Sequence, residues 1–122
     1  MVKFLFLLNT LLMLPFGVVA LASPSVLFAQ FGLQLDAAGI LVARGYGATL
    51  VGYGFTLLLL RSTADPRTVQ VLLWSLVIFN AIESIIQAIA GMQGVAQQII
   101  LANAALHGVV SILCAVALAK RR

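Results

Sequence analysis

Across 4–22, 37–60, 69–90 and 97–119, this chain of 122 residues carries just two charged side chains, Arg44 and Glu83. A helix needs about 20 predominantly apolar residues to cross the roughly 30 Å hydrocarbon core of a bilayer. Each of the four stretches supplies that length. The chain is 63% hydrophobic and 8% charged, whereas soluble domains are about 25% charged. A soluble domain this apolar would expose large adhesive patches, so lipid is the solvent that suits the sequence. The fold class predicted is all-α: a four-helix transmembrane bundle, one domain over residues 1–122.

The connections between the stretches carry helix punctuation. The first run, 4–22, follows Lys3 and ends in Ala20-Leu21-Ala22. That ending looks like a signal-peptide cleavage site, but the run is longer than a usual signal core and reads as the first span, with a removed signal as the alternative. Pro15 inside it should kink the helix, because it cannot donate to the carbonyl of Leu11. Ser23-Pro24-Ser25 is a break and a restart, with Pro24 at a first helical position. The apolar stretch 26–31, with Phe28 and Phe31 at helical spacing and Gly32 placed to end it, is too short to span. It reads as a short interfacial helix between spans one and two. Asp36 caps the second span and Asp65-Pro66 opens the third, while 91–94 makes an uncharged turn into the fourth. In the second span Gly39, Ala43 and Gly47 recur every four residues, as do Ala48 and Gly52. Small residues so spaced let helices approach closely in lipid, so this span is expected to be the most tightly packed.

The net charge of +4 does not point to nucleic acid, since four of the seven basic residues sit at the chain ends and no basic patch with interleaved aromatics exists. With four spans, Lys3, Arg61, Arg67, Lys120, Arg121 and Arg122 all fall on one side of the membrane. Cytoplasmic loops carry the excess of Lys and Arg, so both termini are expected in the cytoplasm. Trp74, near the cytoplasmic end of its span, fits the interfacial preference of aromatic residues. The lone Cys114 can form no internal disulfide and has neither a metal-site nor a redox-pair spacing.

Arg44 and Glu83 each cost about 2.5–3.5 kcal/mol at membrane depth on insertion scales, which makes them candidate site residues. Arg44 follows Asp36 by eight residues, and Glu83 precedes the end of its span by seven. At 1.5 Å per residue both lie about 10–12 Å from the outer face, so an Arg44–Glu83 ion pair is expected. Asn80, Glu83 and Gln87 share one face of the third span, and Asn103, His107 and Ser111 share one face of the fourth. Tyr46 and Tyr53 could add hydroxyls. This cluster is structural on one reading, its side chains hydrogen-bonding between helices. On the other it lines a ligand pocket or a proton path. No metal site and no cofactor is predicted. Ligation of one macrocycle by His107, with Gly108 beside it leaving room, is the less favoured reading.

The segment 35–50, with Leu35, Asp36, Gly39, Ala43, Arg44, Gly47, Ala48 and Leu50, follows a short stretch ending in Phe31-Gly32. It resembles a pattern in small, mostly uncharacterised bacterial four-helix membrane proteins akin to the DoxX-like group. The resemblance covers about a fifth of the chain. It implies the four-helix topology, a bacterial inner membrane and a family-type position at Arg44, and it implies no activity.

No phosphate loop, catalytic triad or second intramembrane carboxylate is present, so the sequence leans away from an enzyme. Acid–base work on a lipid by Glu83 and His107 ranks third. The leading expectation is an accessory or stabilising subunit of a larger membrane assembly, in contact with lipids and with other membrane subunits or copies of itself. The alternative is a binding or transport module for a small amphiphile, a quinone or an isoprenoid lipid, held near Arg44, Glu83 and His107.

Overall fold

The computed structural model describes residues 1–121. Arg122, counted above among the cytoplasmic basic residues, lies outside them. The described residues form five helices and no strand: α1 (Val2–Ala22), α2 (Pro24–Ala29), α3 (Ala37–Leu60), α4 (Pro66–Met92) and α5 (Ile99–Ala119). Three of them, α1, α4 and α5, are long and apolar enough to cross a membrane, which makes this a membrane protein. At 24 residues, α3 is about 36 Å long and would also reach across, but Arg44, its glycines and its tyrosines dilute its apolar character.

Helix starts follow the caps read from the sequence. The Asp36 carboxylate accepts from the Gly39 amide at 2.7 Å, and the Asp65 carboxylate accepts from the Thr68 amide at 2.8 Å and from the Thr68 hydroxyl. Each cap satisfies one of the orphan donors of a helix N-terminus. Pro66 and Pro24 open α4 and α2. Ser23 occupies the cap position of α2, but its side chain makes no capping bond. At the end of α3 the Arg61 guanidinium donates to the Leu58 carbonyl at 2.6 Å. Pro15 sits on the exposed side of α1, which continues through it as one helix.

Three boundaries differ from the sequence reading. The short helix α2 starts at Pro24, the first helical position read from the sequence, but ends at Ala29 rather than 31, and Gly32, at φ +76°, closes the turn after it. The third span was expected to stop at residue 90, yet α4 runs through Gly91 and Met92. Gly94, at φ +69°, terminates it instead. There Val95 N–H donates to Ala90 O at 3.0 Å and Gly94 N–H to Gly91 O at 3.3 Å, the paired bonds of a Schellman end. The fourth span begins at Ile99 rather than 97.

The chain divides into two compact units, Phe6–Arg61 and Met1–Leu5 with Ser62–Arg122. In the first, α3 buries Ala43, Gly47, Leu50, Gly54 and Leu57, alternating four and three residues apart. That is the seam spacing of helices packed by knobs into holes. It faces α1: a Cβ on Gly47 would stand 2.8 Å from Gly17 O, and one on Gly54 would stand 2.8 Å from Leu14 Cγ. The Thr10 hydroxyl donates to Gly54 O at 3.3 Å. Phe16 then gathers Phe28, Phe31 and Tyr46 around it at ring-centroid distances of 6.1, 6.4 and 6.3 Å. These rings fasten the short α2 to the long helices, since edge and tilted aromatic pairs add to the burial of the rings themselves.

In the second unit α4 and α5 pack against each other as a hairpin. α5 buries Ile100, Ala104, Ser111, Cys114 and Leu118, and with half-buried His107 these again alternate four and three. Gly91 is buried where Ile100 and Leu101 of α5 fill the space its missing side chain leaves.

Candidate functional site

Polar side chains occupy the middle of the α4–α5 seam. Asn80 is completely buried and its amide nitrogen donates to Leu76 O at 2.9 Å. That bond orients the amide, because a backbone carbonyl can only accept. The Asn80 oxygen therefore points at His107, whose Nδ1 lies 2.8 Å away. An amide oxygen accepts and never donates, so Nδ1 carries a proton, and in a neutral imidazole that leaves Nε2 a bare lone pair. Phe79 packs its ring against the imidazole at 6.2 Å, close to edge-on at 74°.

Nearer the α4–α5 turn runs a second chain of bonds. Asn103 donates to the Gln87 oxygen at 2.7 Å, and Gln87 donates to a Glu83 carboxylate oxygen at 2.9 Å. Two serines complete the ladder by reaching backbone across the seam. Ser84 Oγ donates to Ala104 O at 2.8 Å, and Ser111 Oγ donates to Val77 O at 2.9 Å. Among the described residues no buried side-chain nitrogen or oxygen lacks a partner. A set whose buried polar atoms are all paired fixes register between two otherwise apolar helices.

The structure thus joins five of the six residues singled out in the sequence: Asn80 with His107, and Glu83, Gln87 and Asn103 with one another. The sixth, Arg44, belongs to the other unit and its side chain is exposed. Its expected pairing with Glu83 joins two units and remains an expectation. Tyr46 is half-buried beside Phe16, and Tyr53 is half-buried on the same helix. Gly108 lies beside Ser84: a Cβ there would stand 3.2 Å from Ser84 Oγ. Among the described residues no group of three His, Cys, Asp or Glu side chains is close enough to hold a metal ion, and Cys114 is free and buried.

Two features went unread in the sequence. Ser84 lies four residues after Asn80 and three before Gln87, so helical spacing alone places it on the same face. Asn9 and Thr10 are buried polar residues of α1, and polar groups inside an apolar span are a signal in themselves.

The outward side of α3 forms a second candidate surface. Gly45, Ala48, Thr49, Gly52 and Thr56 are all exposed. Nothing lies within 4 Å of a Cβ built on Gly45 or Gly52. The Thr49 and Thr56 hydroxyls turn back to their own helix, donating to Gly45 O at 3.1 Å and Gly52 O at 3.0 Å. The face is consequently low between exposed Leu41 and Leu59, and Arg44 and Phe55 border it.

No protein-family profile matches the chain, and no curated protein or solved structure is similar to it.

Proposed function

We propose that the chain is a four-span integral membrane protein of the bacterial inner membrane, with both termini cytoplasmic, and that it serves as an accessory subunit of a larger membrane assembly. The length of α3 and the distribution of Lys and Arg support four spans, as does the resemblance of 35–50 to the DoxX-like pattern. The observation that carries the subunit reading is the outward face of α3. In lipid, apolar surface alone drives no helix association; small residues that admit a second backbone do. Here such residues are exposed on α3, and beside them stands an exposed cation about 12 Å inside the span.

The partner that fits is a transmembrane helix of another polypeptide carrying an Asp or Glu at the depth of Arg44. A second copy fits poorly, because a parallel twofold contact through this face would bring Arg44 against Arg44 in a medium of low dielectric. Glu83 of the same chain is the counter-charge expected from the sequence. The exposure of Arg44 and the engagement of Glu83 by Gln87 favour an outside carboxylate.

Native mass spectrometry of the protein extracted gently from its own membranes tests the reading. A defined partner subunit is expected, lost in Arg44→Glu and in Gly52→Leu, and regained when the partner's carboxylate is exchanged for arginine against Arg44→Glu. A bare chain, a homodimer, or a partner retained by Arg44→Gln would refute it, the last leaving Arg44 to serve lipid headgroups.

A further inference from the structure

The α4–α5 ladder ends in one atom that it does not use. His107 makes a single hydrogen bond among the described residues, through Nδ1. No buried side-chain nitrogen or oxygen there is without a partner, so Nε2 must reach the surface. His107 is eight residues into α5 and twelve from its end, about 12 Å and 18 Å from the two ends. At that depth lipid tails offer nothing to an imidazole lone pair, and an unmet acceptor there is costly.

We propose that Nε2 of His107 is a binding point for a membrane amphiphile whose head donates a hydrogen bond, such as an isoprenoid alcohol or a long-chain phenol. The requirement for a donor comes from Asn80. Its amide, fixed by Leu76 O, holds the ring proton on Nδ1 and leaves Nε2 able only to accept. An oxidised quinone, which presents only carbonyl acceptors, does not fit this atom, whereas a hydroxyl does. This site lies on a different unit from the outward face of α3 and does not depend on the subunit reading.

His107 is the chain's single histidine, so nitrogen-15 labelling of histidine gives one imidazole to observe in lipid nanodiscs. Without ligand, the expected signals are a protonated Nδ1 and an Nε2 that is neither protonated nor hydrogen-bonded. Farnesol or para-decylphenol should then shift the Nε2 resonance, and their methyl ethers, which cannot donate, should not. A response to farnesol alone marks an aliphatic alcohol as the ligand class, and a response to the phenol alone marks an aromatic one. The proposal is overturned if the proton sits on Nε2, or if Nε2 is already hydrogen-bonded in lipid alone. It fails equally if the ethers shift the resonance as the hydroxyl compounds do, or if neither hydroxyl compound shifts it. Asn80→Leu should release the proton to populate both nitrogens; an unchanged tautomer would remove the physical basis of the donor requirement.

Discussion

Gly47 and Gly52 lie five residues apart on α3, and alanine at each should change stability in opposite directions. A methyl group on Gly47 would meet Gly17 O at 2.8 Å, Ala20 Cβ at 2.9 Å and Leu21 N at 3.0 Å. Two of these three are backbone atoms, which cannot rotate aside. Restoring an ordinary contact of 3.4 Å requires α1 and α3 to separate locally by about 0.6 Å. A gap of that size forfeits roughly a quarter to a half of each neighbouring dispersion contact, and overpacking of this kind costs about 1–3 kcal/mol. Removing a helical glycine returns about 0.8–1 kcal/mol, so Gly47→Ala should be destabilising by up to about 2 kcal/mol. Gly52 has open space around it, so Gly52→Ala should keep the helix-propensity gain of about 0.8–1 kcal/mol undiminished. Unfolding of the purified protein in mixed micelles, followed by loss of helicity on titration with denaturing detergent, measures both. Equal effects at the two positions, or a stabilised Gly47→Ala, would refute the assignment of the inner and outer faces of α3.

The same titration separates the rungs of the α4–α5 ladder. Ser84→Ala and Ser111→Ala should each cost about 0.6 kcal/mol, the typical value of an interhelical hydrogen bond in lipid. Asn80→Leu should cost more, about 1–3 kcal/mol, because it leaves Nδ1 of His107 without a partner; a cost no greater than that of the serines would argue against that bond. Asp65 gives a pH signature. Its bonds from the Thr68 hydroxyl and amide hold its carboxyl below the ordinary aspartate value, which is about 3.9 in an unfolded chain. A group with a depressed folded pKa contributes fully above its unfolded pKa and loses that contribution as pH falls through the folded value. The cap on α4 should therefore hold down to about pH 4 and weaken only below it, and Asp65→Asn should remove that acid-dependent part of the unfolding midpoint. Onset of the loss well above pH 4 would contradict the capping geometry.

The ends of the helices were readable because caps are local chemistry. Asp36 and Asp65 each precede an apolar run and need only their own next three residues to act, so α3 begins and ends where the sequence places it. The Gly91 boundary misled because a glycine late in a helix serves either to stop it or to admit a neighbour. Here it admits Ile100 and Leu101, and Gly94 does the stopping. Faces were harder to read than ends. In a helix that is apolar all round, burial leaves no polar–apolar contrast to follow. Two sets of small residues at spacing four were visible on α3, but nothing in the spacing says that Gly47 meets α1 while Gly52 stays open. Gly39, the first member of one set, lies against its own cap, Asp36, and not against α1. The polar residues of α4 and α5 were legible because each stands out from an apolar background, and their three- and four-residue spacing places them on facing sides. Arg44 stands out equally well, but one charge carries no information about where its partner resides.

Whether α3 crosses the bilayer decides the four-span account. With buried Cys114 replaced by alanine, single cysteines at Gln34, Ser62 and Gln93 can be tested in intact cells with a membrane-impermeant maleimide. Labelling of Gln34→Cys and Gln93→Cys, with Ser62→Cys protected until the membrane is opened, is the predicted result. Gln34→Cys and Ser62→Cys labelling from the same side would contradict it, since α3 would then lie along or within one face of the membrane rather than across it.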